Sequence, residues 1–515
     1  MRPSTNPARP LTGLAALLGI ERSDWSDIWA DVAATGITHD SRAVLPGDLY
    51  AALPGARAHG AQFSAQAAEA GATAILTDPD GYDTAVATGL PVLAVANVRA
   101  HLGAAAAWVY GEPARDLLLI GVTGTSGKTT SVFLLESGLR AAGIETGLVG
   151  GVEIRVGGSR VRSALTTPEA TDLHALFATM RERGVGAAAM EVSSHALAQG
   201  RVGGAYYDVA VFTNLSQDHL DFHATMEDYF AAKAKLFTPE YARVGVVNLD
   251  DRHGRVLIET AAIPITTFSA TGDPAADWRA EDVRIGADGS VFRIVGPGGI
   301  EADAAVQLAG PFNVANALAA IVALVEAGIG LPAAVRGVGS LPGVPGRLER
   351  VDEGQEFVAL VDYSHKPGAV EAVLTALRRV TEGDLVVVLG CGGDRDRGKR
   401  PLMGEAAARL ADKAYFTNDN PRSEDPLAIL AAMVEGGLKV PAAQRAHIVV
   451  EPDRAAAIAL AVRRARRGDV LVVAGKGHEQ GQYAAGEMHP FDDREVVREA
   501  LRRRAEGTRG DGAQA

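Results

Sequence analysis

The sequence predicts an α/β protein of three domains, with a central phosphate-loop mononucleotide-binding domain built on a parallel sheet and a C-terminal Rossmann-like domain. Three observations carry this. Short apolar runs alternate with helical stretches, and the runs lack polar–apolar alternation, as expected of strands covered on both faces. A glycine-rich loop follows one of these runs directly and opens a helix. Finally, 515 residues at roughly 150 per domain make about three domains.

Taken in order, buried strands are expected at residues 117–122, 187–192, 208–212, 245–249, 357–361, 385–389 and 470–474, all rich in Val, Leu and Ala. A helix is expected over 129–142, with Gly143 as its C-cap. Strand–helix alternation implies doubly wound parallel sheets, which bind ligands beyond the strands' carboxyl ends. Gly and Pro interrupt the pattern at 110–116 (YGEPARD) and at 340–347 (SLPGVPGR), dividing the chain into domains 1–113, 114–343 and 344–515. Residues 277–299 look like a hairpin insertion turning at Asp288-Gly289. The ends, 1–10 and 505–515, are expected to be disordered.

Lys and Arg number 50 against 63 Asp and Glu, a net charge of -13, and a nucleic-acid binder would show the opposite balance. No apolar stretch reaches the roughly 18 residues a spanning helix needs, so no membrane insertion is expected. The N-terminal apolar run lacks a small-residue cleavage pattern, which argues against a signal peptide. Cys391 is the sole cysteine and forms no intramolecular disulfide, which suits a reducing compartment. A cytoplasmic monomer is expected. Cys391 sits between two glycines with nothing nearby to lower its pKa, so it reads as a small loop residue and not a nucleophile.

Chemistry begins at Gly124, Thr125, Ser126, Gly127, Lys128, Thr129 and Thr130, between a strand and a helix. Backbone N–H groups in such a loop face phosphate oxygens, and the helix dipole favours the anion. Lys128 would neutralise phosphate charge and the Thr129 hydroxyl would meet Mg2+, which makes ATP the expected cofactor, with GTP the alternative. The spacing departs from G-x-x-x-x-G-K-[ST], because the usable glycine lies three residues before Gly127. Glu191 ends a strand and is well placed for Mg2+, a hard cation that takes oxygen ligands. Asp218, His219, Asp221 and His223 resemble a metal cluster, but helix capping explains most of them, and His219 alone is read as functional. Taken alone, Lys233 reads as a surface lysine on an amphipathic helix.

Together TGTSGKTT (123–130), EVSSH (191–195), NLSQDHLD (214–221) and YFAAKAKLF (229–237) resemble the Mur ligases of peptidoglycan synthesis. The resemblance runs from THDSR (38–42) to GKGHE (475–479), and the short loop is the form that family uses. It implies an ATP-dependent ligase with two Mg2+ sites, in which Lys128, Glu191, His219 and Lys233 are catalytic. It reassigns Lys233 as a carbamylated lysine that shares a second Mg2+ with His219. An ammonium would repel the ion, whereas a carbamate offers hard oxygen. Ser41 and Arg42 then match a uridine-binding segment, and 54–60 (PGARAHG) a second uridine loop with unusual residues. Thr166, Thr167, Ser193, Gln199 and Arg201 match residues holding the muramoyl-dipeptide. Asn313 and Asn316 match adenine-side contacts, Arg347 a γ-phosphate contact, and Asp362 and His365 a ribose-side motif whose usual Ala and Thr are here Ser364 and Lys366.

In the last domain Arg395, Asp419, Asn420, Arg422, Gly475 and Glu479 follow strand ends. An arginine offers a bidentate fork to a carboxylate, and Glu479 could hold an ammonium. That pairing suits meso-diaminopimelate, and DNPR (419–422) resembles the diaminopimelate-adding branch, whose other substrate is UDP-MurNAc-L-Ala-D-Glu. The alternatives are an L-lysine-adding ligase, which would leave Arg422 unpaired, a folylpolyglutamate-synthetase relative, and a non-catalytic nucleotide-binding module. Arg422 is read as the carboxylate-binding residue, against the alternative of a structural ion pair with Glu424 or Asp425.

Overall fold

The computed structural model describes residues 1–21, 29, 31–55, 57–163, 165–286 and 289–512. Near the N-terminus, β1 (Gly36–Thr38), β2 (Asp48–Ala51), β3 (Ala74–Thr77) and β4 (Val92–Ala94) pair in parallel in chain order. Side chains alternate along β2, so that Leu49 and Ala51 pack beneath α1 (Val98–Val109) while Tyr50 faces a second cluster.

The middle of the chain forms one 11-stranded sheet. Its strands are β5 (Leu118–Thr123), β6 (Thr146–Val149), β7 (Glu153–Val156), β8 (Ser159–Arg162), β9 (Ala187–Glu191), β10 (Tyr207–Phe212), β11 (Ala242–Asn248), β12 (Ile265–Ser269), β13 (Trp278–Gly286), β14 (Gly289–Gly296) and β15 (Ile300–Val306). Their order is β8-β7-β6-β9-β5-β10-β11-β12-β13-β14-β15. Pairing is parallel from β6 to β13, and the antiparallel pairs lie at the two ends. Both faces are covered. Ala187, Ala189, Val209 and Val211 join the core beneath α2 (Lys128–Ala141) and α6 (Pro311–Glu326), whereas Ala188, Met190, Ala210 and Phe212 join the core beneath α3 (Ala170–Glu182) and α5 (Met226–Ala234). A short helix, α4 (Ser194–Ala198), follows β9.

The rest of the chain builds a six-stranded sheet from β16 (Glu349–Arg350), β17 (Val358–Asp362), β18 (Leu385–Leu389), β19 (Lys413–Phe416), β20 (His447–Val450) and β21 (Val470–Ala474), in the order β16-β17-β21-β18-β19-β20. All pairs except β16–β17 are parallel. Odd and even residues of β18 and β21 divide between two cores, the signature of a doubly wound sheet.

The expected strands are all present, shifted at their ends by up to three residues, and the helix runs over 128–141 instead of 129–142. Four expectations change. The insertion at 277–299 is no lone hairpin: β13, β14 and β15 form an antiparallel meander that lengthens the central sheet, and Asp288 of its expected turn lies outside the described residues, as does Ala56. Residues 1–10 are held, because Arg2 donates to both oxygens of Asp48 at 2.7 Å, Ser4 N donates to Glu182, and Arg9–Pro10 pair with Ala33–Ala34. The final helix, Asp493–Gly512, carries through most of 505–515, and 513–515 lie outside the described residues. Asp218, read as a capping residue, is drawn instead into ion pairs described below.

The C-terminal domain is closed by a fully buried ion pair. From the helix Arg454–Arg464, Arg454 grips Asp493 of the last helix through Nε (2.8 Å) and Nη2 (2.7 Å), and also donates to the Ala474 carbonyl at the end of β21. Removing one partner of such a pair strands the other charge in the core, at a cost of about 3–5 kcal/mol. Arg454→Met is therefore expected to lower stability by that amount, read by calorimetry as a downward shift of the transition that contains this domain.

Candidate active site

Three parallel strands end at one place. β5 runs into the loop 124–127, β9 delivers Glu191, and β10 delivers Thr213 and Asn214. The loop is pinned from the neighbouring strand: Thr125 N donates to the Asn214 carbonyl (2.9 Å), Ser126 N to Asn214 Oδ1 (3.0 Å), and Thr213 Oγ1 to the Ser126 carbonyl (2.7 Å). Gly124 has φ +147, and a Cβ there would lie 1.9 Å from Thr213 Oγ1, so no other residue fits. Asn316 packs against Gly127 and donates to Asn313 Oδ1, and Asn313 Nδ2 in turn donates to the Ala309 carbonyl, so both asparagines lie in the first turns of α6 on the side of the loop.

The Gly124 carbonyl accepts from two lysines. Lys128 Nζ donates to it at 2.8 Å and to the Thr125 carbonyl at 3.1 Å, while Lys233 Nζ, from α5, also lies 2.8 Å from it. Lys233 is 1% exposed and sits over the Tyr229 ring, so it is no surface lysine. Burial, with Lys366 close by, pushes Lys128 down to about 8. Burial and the charge of Lys128 drive Lys233 well below the ordinary lysine range. Thr129 Oγ1 donates to Glu191 Oε1 (3.0 Å), which also accepts from Gly151 N, and Arg347 Nη2 reaches Thr129 Oγ1 at 3.1 Å from the interdomain linker.

Asp218 bridges two domains. Its Oδ2 pairs with Lys366 Nζ and lies 2.9 Å from His219 Nε2. Burial opposes ionisation of Asp218, but His219 and Lys366 outweigh it and hold the carboxyl far below the usual range. His219 stands at φ +54, an uncommon conformation for a residue with a side chain. Its ring packs near His195 and Tyr229, and His223 is buried against Ser194 Oγ at 3.0 Å, while Asp221 is exposed.

On the N-terminal side, Thr167 Oγ1 donates to the Glu191 carbonyl (2.8 Å) and accepts from Ser193 N, and Arg201 donates to the Thr167 carbonyl while pairing with Glu169. Gln199 keeps a buried Oε1 without a partner among the described residues, and Thr166 lies beside Gly151. Ser41 donates to Gln66, and the exposed Arg42 pairs with Asp40, so both stand apart from the strand-end cluster. On the linker side, Asp362 spends its oxygens on Leu348 N (2.8 Å) and Ser364 N (2.8 Å), and His365 Nδ1 contacts the Tyr363 carbonyl.

The C-terminal residues gather at the ends of β19 and β21. Asn420 Nδ2 donates to Glu479 Oε2 (3.0 Å), the Asp419 carbonyl accepts from Gln482, and Gly475 turns at φ +117 where a Cβ would meet Asp419 Oδ2 at 2.6 Å. Arg422, at φ +55, donates Nη1 to the Gly393 carbonyl. Glu424 pairs with Arg400 and Arg397, so no carboxylate pairs with Arg422 among the described residues. Arg395 is exposed and, among the described residues, bonds only the Asp394 carbonyl. Cys391 is buried against Met403, and burial pushes its thiol up to about 12, the opposite of a nucleophile. Reading the sequence missed Lys366, Tyr229, Thr213 and Lys476. Lys366 and Lys476 do follow strand ends, the one signal that pointed to them.

The two sheets and the glycine–lysine loop define a nucleotide-binding enzyme whose phosphate site faces a second α/β domain. Profiles of the Mur ligase family's catalytic domain match residues 33–110, of its middle domain 122–324, and of its glutamate ligase domain 346–477. The chain belongs to the Mur ligase family. It is 61% identical over 500 residues to the UDP-N-acetylmuramoyl-L-alanyl-D-glutamate--2,6-diaminopimelate ligase of Streptomyces avermitilis, covering 97% of this chain and 98% of that one. The enzyme of the same name from Streptomyces coelicolor is 61% identical over 502 residues, covering 98% of each. A solved structure of a ligase with this name superposes with a TM-score of 0.68 at 34% identity, covering 95% of this chain and 98% of that one.

Lys128 is charged below about pH 8 and loses its charge above it. Phosphate binding favours the charged form, so ATP affinity of the free enzyme is expected to fall as pH rises past 8, by at most about tenfold per pH unit for one proton. Nucleotide titrations between pH 7 and 9.5 check this, and a Lys128→Met variant should bind weakly with no such slope.

Proposed function

We propose that this protein is an ATP-dependent ligase that joins meso-2,6-diaminopimelate to the D-Glu γ-carboxylate of UDP-MurNAc-L-Ala-D-Glu, in the cytoplasmic making of peptidoglycan precursors. One observation carries the choice of amino acid. Arg422 is held in place by backbone contacts, and its guanidinium forms no ion pair with a carboxylate of the described residues, Asp394 acting on it only through charge, close to the Asn420–Glu479 pair. A substrate whose far end bears a carboxylate and an ammonium satisfies both. L-Lysine satisfies only one. The names of the relatives at 61% identity support the same reading.

The residues suit the chemistry. Lys128 and Arg347 converge on the ground where nucleotide phosphates meet the start of α2. The donor set Thr129 and Glu191 is all oxygen and buried, which fits Mg2+, and His219 with a carbamylated Lys233 would hold a second ion. Metal there supplies charge neutralisation and Lewis-acid polarisation. An oxygen of the γ-carboxylate attacks the γ-phosphorus, ADP leaves, and the amine of the diamino acid then displaces phosphate from the acyl phosphate with loss of a proton. Thr167, Ser193, Gln199 and Arg201 line the approach of the carboxylate, and the unpartnered Gln199 Oε1 awaits an N–H donor. Ser41 and Arg42 serve the uridine end, Asn313 and Asn316 the adenine, and Asp362 and His365 the ribose side. Asp362 does so by fixing the linker. Much of the rate comes from positioning three substrates.

Phosphate release from ATP with UDP-MurNAc-L-Ala-D-Glu is expected with meso-diaminopimelate and not with L-lysine. Release with L-lysine alone would overturn the pocket reading and leave the ligase. For Lys233, an amine that burial keeps neutral attacks CO2 at carbon, forms the N–C bond and gives up a proton. Enzyme equilibrated with 13C-bicarbonate should show one carbamate carbon by NMR, absent in Lys233→Arg, and CO2-free buffer should lower activity reversibly.

A further inference from the structure

Glu479 is not a bare anion. Lys476, directly after the Gly475 turn, is wholly buried (0% exposed), and its ammonium lies 3.1 Å from Glu479 Oε2 and 3.0 Å from Asn420 Oδ1. Asn420 Oδ1 also accepts from Tyr483 N at 2.9 Å, while its Nδ2 donates to the same Glu479 Oε2. The amide is thereby fixed in one orientation, and Glu479 Oε2 is saturated by two donors. Glu479 Oε1 has no donor among the described residues, and the side chain keeps a third of its surface open. The carboxylate thus presents one free oxygen with its charge already offset by a lysine that solvent cannot screen.

We infer that Lys476 is a specificity-determining residue, neutralising Glu479 so that the pocket accepts an amino acid whose far end is a zwitterion and refuses one ending in a lone ammonium. The inference rests on the substrate reading above. A zwitterionic end places its carboxylate on Arg422 and needs from Glu479 only a hydrogen-bond acceptor, which Oε1 provides. A lone ammonium arrives without its own anion. It meets a carboxylate already paired, with the cation of Arg422 nearby, and so gains little attraction while losing its hydration. Refusal by an offset charge is discrimination built against the competitor and not only toward the substrate.

The test measures kcat/KM for meso-diaminopimelate and for L-lysine in wild type, Lys476→Met and Lys476→Gln. Lys476→Gln keeps a donor for Asn420 and Glu479 without the charge, which guards against misfolding of the methionine variant. The preference for diaminopimelate over lysine is expected to shrink by about tenfold or more in both variants, chiefly through KM for the amino acids, with KM for ATP unmoved. If Lys476→Gln keeps the wild-type ratio, or loses both amino acids in equal measure, Lys476 is only structural and the inference falls. A wild-type enzyme inactive with diaminopimelate would instead bring down the substrate reading itself.

Discussion

Two lysine amines on one carbonyl set the terms for the whole centre. The Gly124 oxygen can serve Lys128 and Lys233 together only because the loop turns where no Cβ fits, with Thr213 of the adjacent strand against it. Tyr229 closes the other side, stacking on Lys233 and contacting Thr125 Oγ1 at 3.1 Å. Neither amine forms an ion pair among the described residues, and the charge of Lys128 helps keep Lys233 neutral. A charged Lys128 bonded only to carbonyls gains most when an anion arrives, so the loop is organised around a ligand and not around itself.

The second constraint is that the two sheets present their carboxyl edges to each other. β5 lies between β9 and β10, and β21 lies between β17 and β18, so each sheet reverses its winding at the strand beside the site. The linker ties the edges together. Arg347 reaches back to Thr129, Leu348 N is fixed by Asp362, and Lys366 extends from the C-terminal domain to Asp218 beside His219. Leu348, His219 and Arg422 all adopt positive φ without being glycine. Backbone held in that state where these contacts converge marks a geometry the surrounding packing enforces.

This arrangement also explains what the sequence disclosed. Strands 385–389 and 470–474 appear where expected, because burial on both faces leaves an unbroken apolar run. The short N-terminal strands, three or four residues each, carry too little pattern to stand out, and β14 and β15 extend a sheet through pairing that no local signal specifies. Helix pattern alone makes Lys233 a surface residue, the motif resemblance reassigns it to the site, and its contact with Gly124, 109 residues away, shows that it points inward. The Asp218–Lys366 pair joins residues of different domains, so a capping residue was the natural reading of Asp218. The motifs that follow strands were legible because the fold class says where ligands bind. Their partners were not.

Charge distribution reconciles the acidic chain with anionic ligands. The net charge is -13, yet Lys128, Arg347, Lys366, Arg395, Arg422 and Lys476 all lie on or near the facing edges, beside Glu191, Asp218, Asp362, Asp419 and Glu479. Cations gathered between low-dielectric walls focus their field into the gap, whatever the net charge of the whole chain. The local excess is graded. At the phosphate loop Lys128 bonds carbonyls and no carboxylate among the described residues, with Glu191 and Asp218 acting on it only through charge, which suits dense negative charge. In the C-terminal pocket Glu479 and Asp419 partly offset the arginines and Lys476, which suits a ligand carrying both signs. The sign and density of fixed charge thus change from one domain edge to the other, so the two edges favour ligands of different charge.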